Sequence, residues 1–280
     1  MNPNNVRQSI LLFSDLPLTQ LCYSLKTKPK SLVFGRRLYH FTFNQQRYWL
    51  KTQIKHGGHQ THLESFQHEL NMYGIFAQHP SSQALLLNYQ MLEPNNLCIE
   101  NEQVEQLLII EHAVGLFEQA AEQMSLEQVR HILWLAIDAI EKIYAAGYLH
   151  ADLKREHFVI QQGQCKLIDF EQSLEIEHQS RLMTATPRYM APELFQGQAK
   201  SIQSEIYALG IIFLEWLTEQ RLQAANYQDW AYLHCQRLRI DLPEQFRVFQ
   251  PLLMLMLDKQ KQQRMVDFYR LKSTLIAEFA

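Results

Sequence analysis

The chain has 280 residues, 47% of them hydrophobic, and a net charge of −3. That is enough apolar length for one large domain or two lobes with real cores, and it leaves no global basic field to argue for nucleic acid. The four cysteines, Cys22, Cys98, Cys165 and Cys235, contain no CxxC pair, so a zinc site or a disulfide framework is not expected and a reducing compartment fits. The N-terminus has no strongly basic start and no small-residue cleavage site, so it does not read as a signal peptide. The apolar run 206–217 is too short to span a bilayer. A cytoplasmic protein without a transmembrane segment is expected.

Residues 1–30 form an extension that the pattern does not place. Residues 31–56 alternate in a strand-like way, with Tyr39, Phe41 and Phe43 and then Tyr48 to Ile54. Gly57-Gly58 breaks that pattern. The spacing of Leu63, Phe66, Leu70 and Tyr73 predicts a helix over 60–76. Two extended runs follow, 84–91 and 106–111. From Ser125 the period turns helical, and Ser125-Leu-Glu-Gln128 reads as a capping box. Gly147 stands where that helix ends. Short strands at 158–160 and 166–168 bracket Gly163. Residues 204–217 are a strongly apolar helix, and 246–257 and 266–279 supply more helix. The expected class is α+β. A small β-rich lobe with one main helix spans 31–112, and a larger helical lobe spans 113–280.

Three acidic landmarks stand out in this second part. Asp152 lies in His150-Ala-Asp-Leu-Lys-Arg-Glu-His157, Asp169 in Ile168-Asp-Phe-Glu171, and Glu193 in Thr186-Pro-Arg-Tyr-Met-Ala-Pro-Glu193. In this order and spacing they resemble the catalytic loop, metal loop and activation-segment end of protein kinases. The resemblance covers residues from about 30 to the end and implies a bilobal kinase-like fold using ATP with magnesium or manganese. It makes Asp152 the group that accepts the substrate hydroxyl proton and Lys154 its companion beside the transferred phosphate. Asp169 and His157 become the metal ligands. Lys51, closing Tyr48-Trp-Leu-Lys51, resembles the strand lysine that holds the phosphates, and Glu69 its helical partner, with Lys55 and Glu64 as alternative members of that pair. Gly35, Glu111, Ala113 and Val159 are the further nucleotide contacts. His150, Phe170 and Tyr73 are expected to pack internally. Thr186 contacts the catalytic aspartate and lysine, and Glu193 pairs with Arg264.

Four departures qualify the resemblance. Only Phe34-Gly35 remains of the glycine-rich loop, with Lys30 and Leu32 near the places of the earlier glycines. Trp49 takes the place of a small residue two before the lysine. Because residues i and i+2 on a strand share a face, Trp49 either narrows the adenine pocket beside Lys51 or offers a different stacking surface. His157 replaces a metal-binding asparagine. Glu171 and Ala151 replace a glycine and an arginine. The spelling from Asp152 to His157 and from Ile168 to Glu171 is similar to that of the bacterial lipopolysaccharide Kdo and heptose kinases. The expected activity is that of a bacterial Ser/Thr protein kinase acting on a protein substrate. Its rivals are a pseudokinase scaffold and a sugar kinase of the lipopolysaccharide type.

Overall fold

The structure is a computed structural model that describes residues 16–54, 60–94, 97–177 and 185–276. Gly57, Gly58 and Lys55 lie outside the described residues. Two compact units are present, Met1–Phe66 with Asn88–His112 and Gln67–Leu87 with Ala113–Ala280.

The first unit begins with β1 (Ser24–Leu25), a helical turn α1 (Pro29–Leu32), β2 (Arg36–Phe43) and β3 (Gln46–Gln53). Helix α2 (Gln60–Gln78) starts in this unit and continues into the second, where α3 (Pro80–Gln83) follows. The chain then returns through β4 (Tyr89–Leu92), β5 (Leu97–Ile99), β6 (Glu102–Val104) and β7 (Leu107–Glu111). The main sheet is antiparallel in the order β1-β2-β3-β7-β4. Asn44 and Gln45 both take positive φ between β2 and β3, which gives a two-residue loop the twist of the flanking strands. Tyr39, Phe41, Tyr48, Leu50 and Ile109 share the buried face. The β5–β6 hairpin and Leu16 pack on the same core. Residues 16–28, unplaced by sequence, are therefore built into this unit. Ser24 and Leu25 pair with His40 and Tyr39, and Tyr23 meets Tyr39 and Phe41 edge-on.

The expected strand over 84–91 is shorter than its apolar content suggests. Only Tyr89–Leu92 joins the sheet. Leu85, Leu86 and Leu87 are buried in the second unit, where the Leu85 carbonyl accepts from Leu167 N–H. A continuous apolar run does not say which unit its side chains will enter.

The second unit is built on helices. Its elements after α3 are β8 (Val114–Gly115), α4 (Leu126–Ala145), β9 (Tyr148–Leu149), β10 (Phe158–Gln161), β11 (Gln164–Leu167), β12 (Leu174–Glu175), α5 (Pro192–Phe195), α6 (Ile202–Thr218), α7 (Tyr227–Tyr232), α8 (Gln250–Met256) and α9 (Phe268–Ile276). The capping box at Ser125 forms as its spelling predicts: Gln128 N–H donates to Ser125 Oγ and Ser125 N–H to Gln128 Oε1. The β10–β11 hairpin turns on Gln162 and Gly163, both left-handed. Helix α6 is buried along nearly its whole length, as its apolar composition requires. Gly210 lets α8 approach it, because a Cβ there would come within 2.8 Å of the Leu257 side chain. No helix among the described residues is long and apolar enough to cross a membrane.

Candidate active site

The second unit brings several of the singled-out residues together. The loop from His150 to His157 runs from β9 to β10 and ends in a 3-10 turn, Arg155–His157. In it, Asp152 is held from two sides. Thr186 Oγ1 donates to Asp152 Oδ1 at 3.0 Å, and Lys154 Nζ lies 2.7 Å from Oδ2. An ammonium and a hydroxyl on one carboxylate fix its direction and leave lone pairs for a further donor.

The backbone just before Asp152 is constrained. Ala151 has φ +66, a left-handed conformation that an L side chain takes up at a cost. Two buried ionisable side chains hold it there. Glu205, one turn into α6, accepts from His150 N–H and Ala151 N–H at 3.0 Å each, and Lys200 Nζ donates to Ala151 O at 2.5 Å. Both residues, with Asp152 and Thr186, line a small cavity of about 20 Å³. Neither Glu205 nor Lys200 was picked out from sequence.

Burial pushes the Glu205 carboxyl up from its ordinary 4.5 to about 7, against the pull of Lys200 and the two N–H donors. Its folded pKa thus lies above the unfolded one. The stability it contributes is full below about 4.5 and declines as pH rises through about 7. Chemical denaturation between pH 5 and 8 should show wild type losing stability faster than Glu205→Gln as pH rises. Parallel pH profiles would exclude Glu205 as the source.

His150 ties this loop to the next. Its ring is fully buried, Nε2 meets the Ile168 carbonyl at 3.0 Å, and burial holds its pKa down to about 4, so it is neutral. It stacks on His157 and touches Phe170. Phe170 in turn meets Tyr73 and Phe76 edge-on, the internal stack that the sequence suggests. Asp169 follows β11 with φ +68, and its Oδ2 lies 3.3 Å from His157 Nε2. Glu69, Asp169 and Glu171 each bring a carboxylate oxygen to within 4.8 Å of the others. That oxygen-rich set suits a hard divalent cation, with His157 adding an imidazole nitrogen at its edge. Glu171, which replaces a glycine and closes the Ile168–Glu171 spelling, is a ligand candidate beside Asp169. Val159 is buried on β10, opposite Gly115 and Lys166. Ala113 opens this unit's second segment.

Glu193 and Arg264 form a buried bidentate pair at 2.6 and 3.0 Å. Arg264 also donates to the carbonyls of Gln203 and Asp258, so all five of its N–H groups have acceptors. Its guanidinium lies over the Tyr207 ring.

The first unit holds the other candidates. Lys51 is central in β3, opposite Leu38 and Leu108. Gly35 (φ +81) closes the α1 turn, which stands where a glycine-rich loop would run, and its carbonyl accepts from Ile54 N–H at 2.8 Å. Glu111 pairs with Tyr48 and its carboxylate accepts from Asn88 Nδ2 at 2.9 Å. Its side chain therefore lies on the face opposite Lys51, and only its backbone is available on the Lys51 side.

Comparison with known proteins agrees with this geometry. The protein kinase domain family matches residues 42–269. A cGMP-dependent protein kinase of Plasmodium berghei (strain Anka) is 34% identical over 95 residues, 34% of this chain and 11% of that protein. A probable serine/threonine-protein kinase of Dictyostelium discoideum is 35% identical over 95 residues, 31% and 7% respectively. The serine/threonine-protein kinase Nek9 of Mus musculus is 32% identical over 99 residues, 34% and 10%. The matches thus span about a tenth of each relative's length. Because that match takes in most of this chain, residues 42–269, the chain belongs to the protein kinase family.

Proposed function

We propose that the chain is an ATP-dependent kinase of the Ser/Thr type that acts on a protein hydroxyl. The observation that carries this reading is Asp152, held between Thr186 and Lys154 with one face of its carboxylate still able to accept. In that role Asp152 takes the proton of the acceptor hydroxyl as it attacks, and Lys154 offsets charge on the transferred group. The named relatives support a Ser/Thr acceptor, and the spelling from Asp152 to His157 supports a bacterial source. Lys51 would bear on the phosphates, and Gly35, the Glu111 backbone, Ala113 and Val159 would be further nucleotide contacts. Asp169 and His157, with Glu171 beside them, would hold a divalent cation, which when bound neutralises phosphate charge. A lipopolysaccharide-type sugar is the second acceptor class, favoured by His157 beside Asp169. Labelled ATP offered with protein and sugar acceptors separates the two.

The metal site gives the direct test. ATP with magnesium or manganese should raise the melting temperature of wild type and leave Asp169→Ala unchanged. Imidazole suits first-row ions better than magnesium, so manganese should act at lower concentration than magnesium on wild type. His157→Asn should move the preference back toward magnesium. Identical metal titrations for wild type and His157→Ala would remove His157 from the ligand set. No shift with either metal at saturating ATP would sink the nucleotide reading itself.

A further inference from the structure

One face of the first unit's sheet is the buried core; the other carries Lys51 and a cluster of rings. Trp49 lies two residues before Lys51 on β3, opposite His40 on β2 and Ile110 on β7. Residues that pair across an antiparallel ladder, and residues two apart on a strand, share a face. His40, Trp49, Lys51 and Ile110 therefore point the same way, and His112, two beyond Ile110, follows them.

The rings on this face are engaged with each other. The Trp49 indole meets His40 edge-on at 5.3 Å between centroids. It leans across the sheet so that its Nε1–H donates to His112 Nδ1 at 2.9 Å. The His112 and His40 rings are 6.1 Å apart, nearly perpendicular. His112 is fixed at its own backbone, where its N–H donates to Arg47 O at 2.9 Å. The indole is thus held by one hydrogen bond and by ring contacts, on the face that also carries Lys51.

We propose that Trp49 and His112 form an internal cover over the base-binding part of this face, so that a nucleotide base enters only when their hydrogen bond opens. This rests on the reading that Lys51's face takes the nucleotide, and it goes further by naming what regulates entry and discriminates among ligands. On this proposal a phosphate chain would reach Lys51 with the cover closed, whereas a purine would need the place that the indole takes. A site open only about a tenth of the time binds its ligand about tenfold more weakly.

Three variants test it, read by titration calorimetry with ATP, GTP and inorganic triphosphate in the presence of manganese. Trp49→Ala should bind ATP at least about tenfold more tightly than wild type, the gain corresponding to a cover closed about nine-tenths of the time or more. Inorganic triphosphate, which has no base, should bind wild type and variant alike. Trp49→Phe and His112→Ala, which lose the hydrogen bond but keep a ring on the sheet, should fall between. They also guard against a result due to lost packing in Trp49→Ala. If Trp49→Ala binds ATP equally or more weakly while wild type binds it, the indole is a stacking surface, the cover is refuted and the kinase reading stands. If wild type fails to bind and Trp49→Ala binds, the cover is supported and nucleotide use by the native chain fails. If no variant binds ATP, both fall.

Discussion

Asp152→Asn is expected to retain the fold and nucleotide affinity and to lose about 10²–10⁴-fold in phosphoryl transfer, the usual worth of a positioned general base. The amide keeps the shape of the carboxylate. Its oxygen can still accept from Thr186, but its nitrogen meets the Lys154 ammonium, donor against donor, and it cannot take a proton at neutral pH. Because that local repulsion moves Lys154 as well, Lys154→Met should be measured beside it. Loss in both variants, with unchanged melting temperature, fits a pair acting on one transferred group. Transfer by Asp152→Asn at near the wild-type rate would remove Asp152 from the chemistry.

Arg264→Met is expected to cost about 3–5 kcal/mol of stability, the range for breaking a buried ion pair. For a unit of this size that is on the order of 10 °C in melting temperature. The cost comes chiefly from what remains. Glu193 would stay buried with its carboxylate deprived of two charge-assisted bonds, and the carbonyls of Gln203 and Asp258 would lose their donors. Replacing both partners with apolar residues, Glu193→Leu with Arg264→Met, should recover part of the loss, since no bare charge is then left inside. The pair lies in the second unit, so the transition is best followed through Trp216, which is buried there. A single variant within about 1 kcal/mol of wild type would mean that the pair sets conformation without supporting stability.

The residues legible in the sequence share one property: their chemistry demands both a residue type and a fixed local spacing. Asp152, Asp169, Glu193 and Arg264 lie in such strings, and so does the Ser125 capping box. The residues that escaped notice have partners far along the chain. Glu205 sits one turn into α6, where an acidic residue ordinarily reads as surface charge favoured by the helix dipole. Only the fold turns it inward onto the Ala151 backbone. Lys200 is harder still, because lysine is almost never buried without a partner, and its partner lies 49 positions earlier. The two-residue strand β1 is too short to leave a period, and the leucines at 85–87 fit a strand as well as a buried turn. Trp49 was legible as to which face it takes, since strand alternation fixes that. Its bond to His112 was not, since it depends on the order of the strands.

The kinase family match begins at residue 42, inside β2. A fragment cut there to obtain the domain alone would discard β1, most of β2, and Leu16, Tyr39 and Phe41 from the core. It would leave β3 as a bare sheet edge, with hydrophobic Tyr48 and Leu50 open on one face. Unpaired edges of that kind recruit strands from other copies. Such a shortened protein should therefore aggregate for reasons unrelated to its chemistry, and any recombinant form is best started ahead of Leu16.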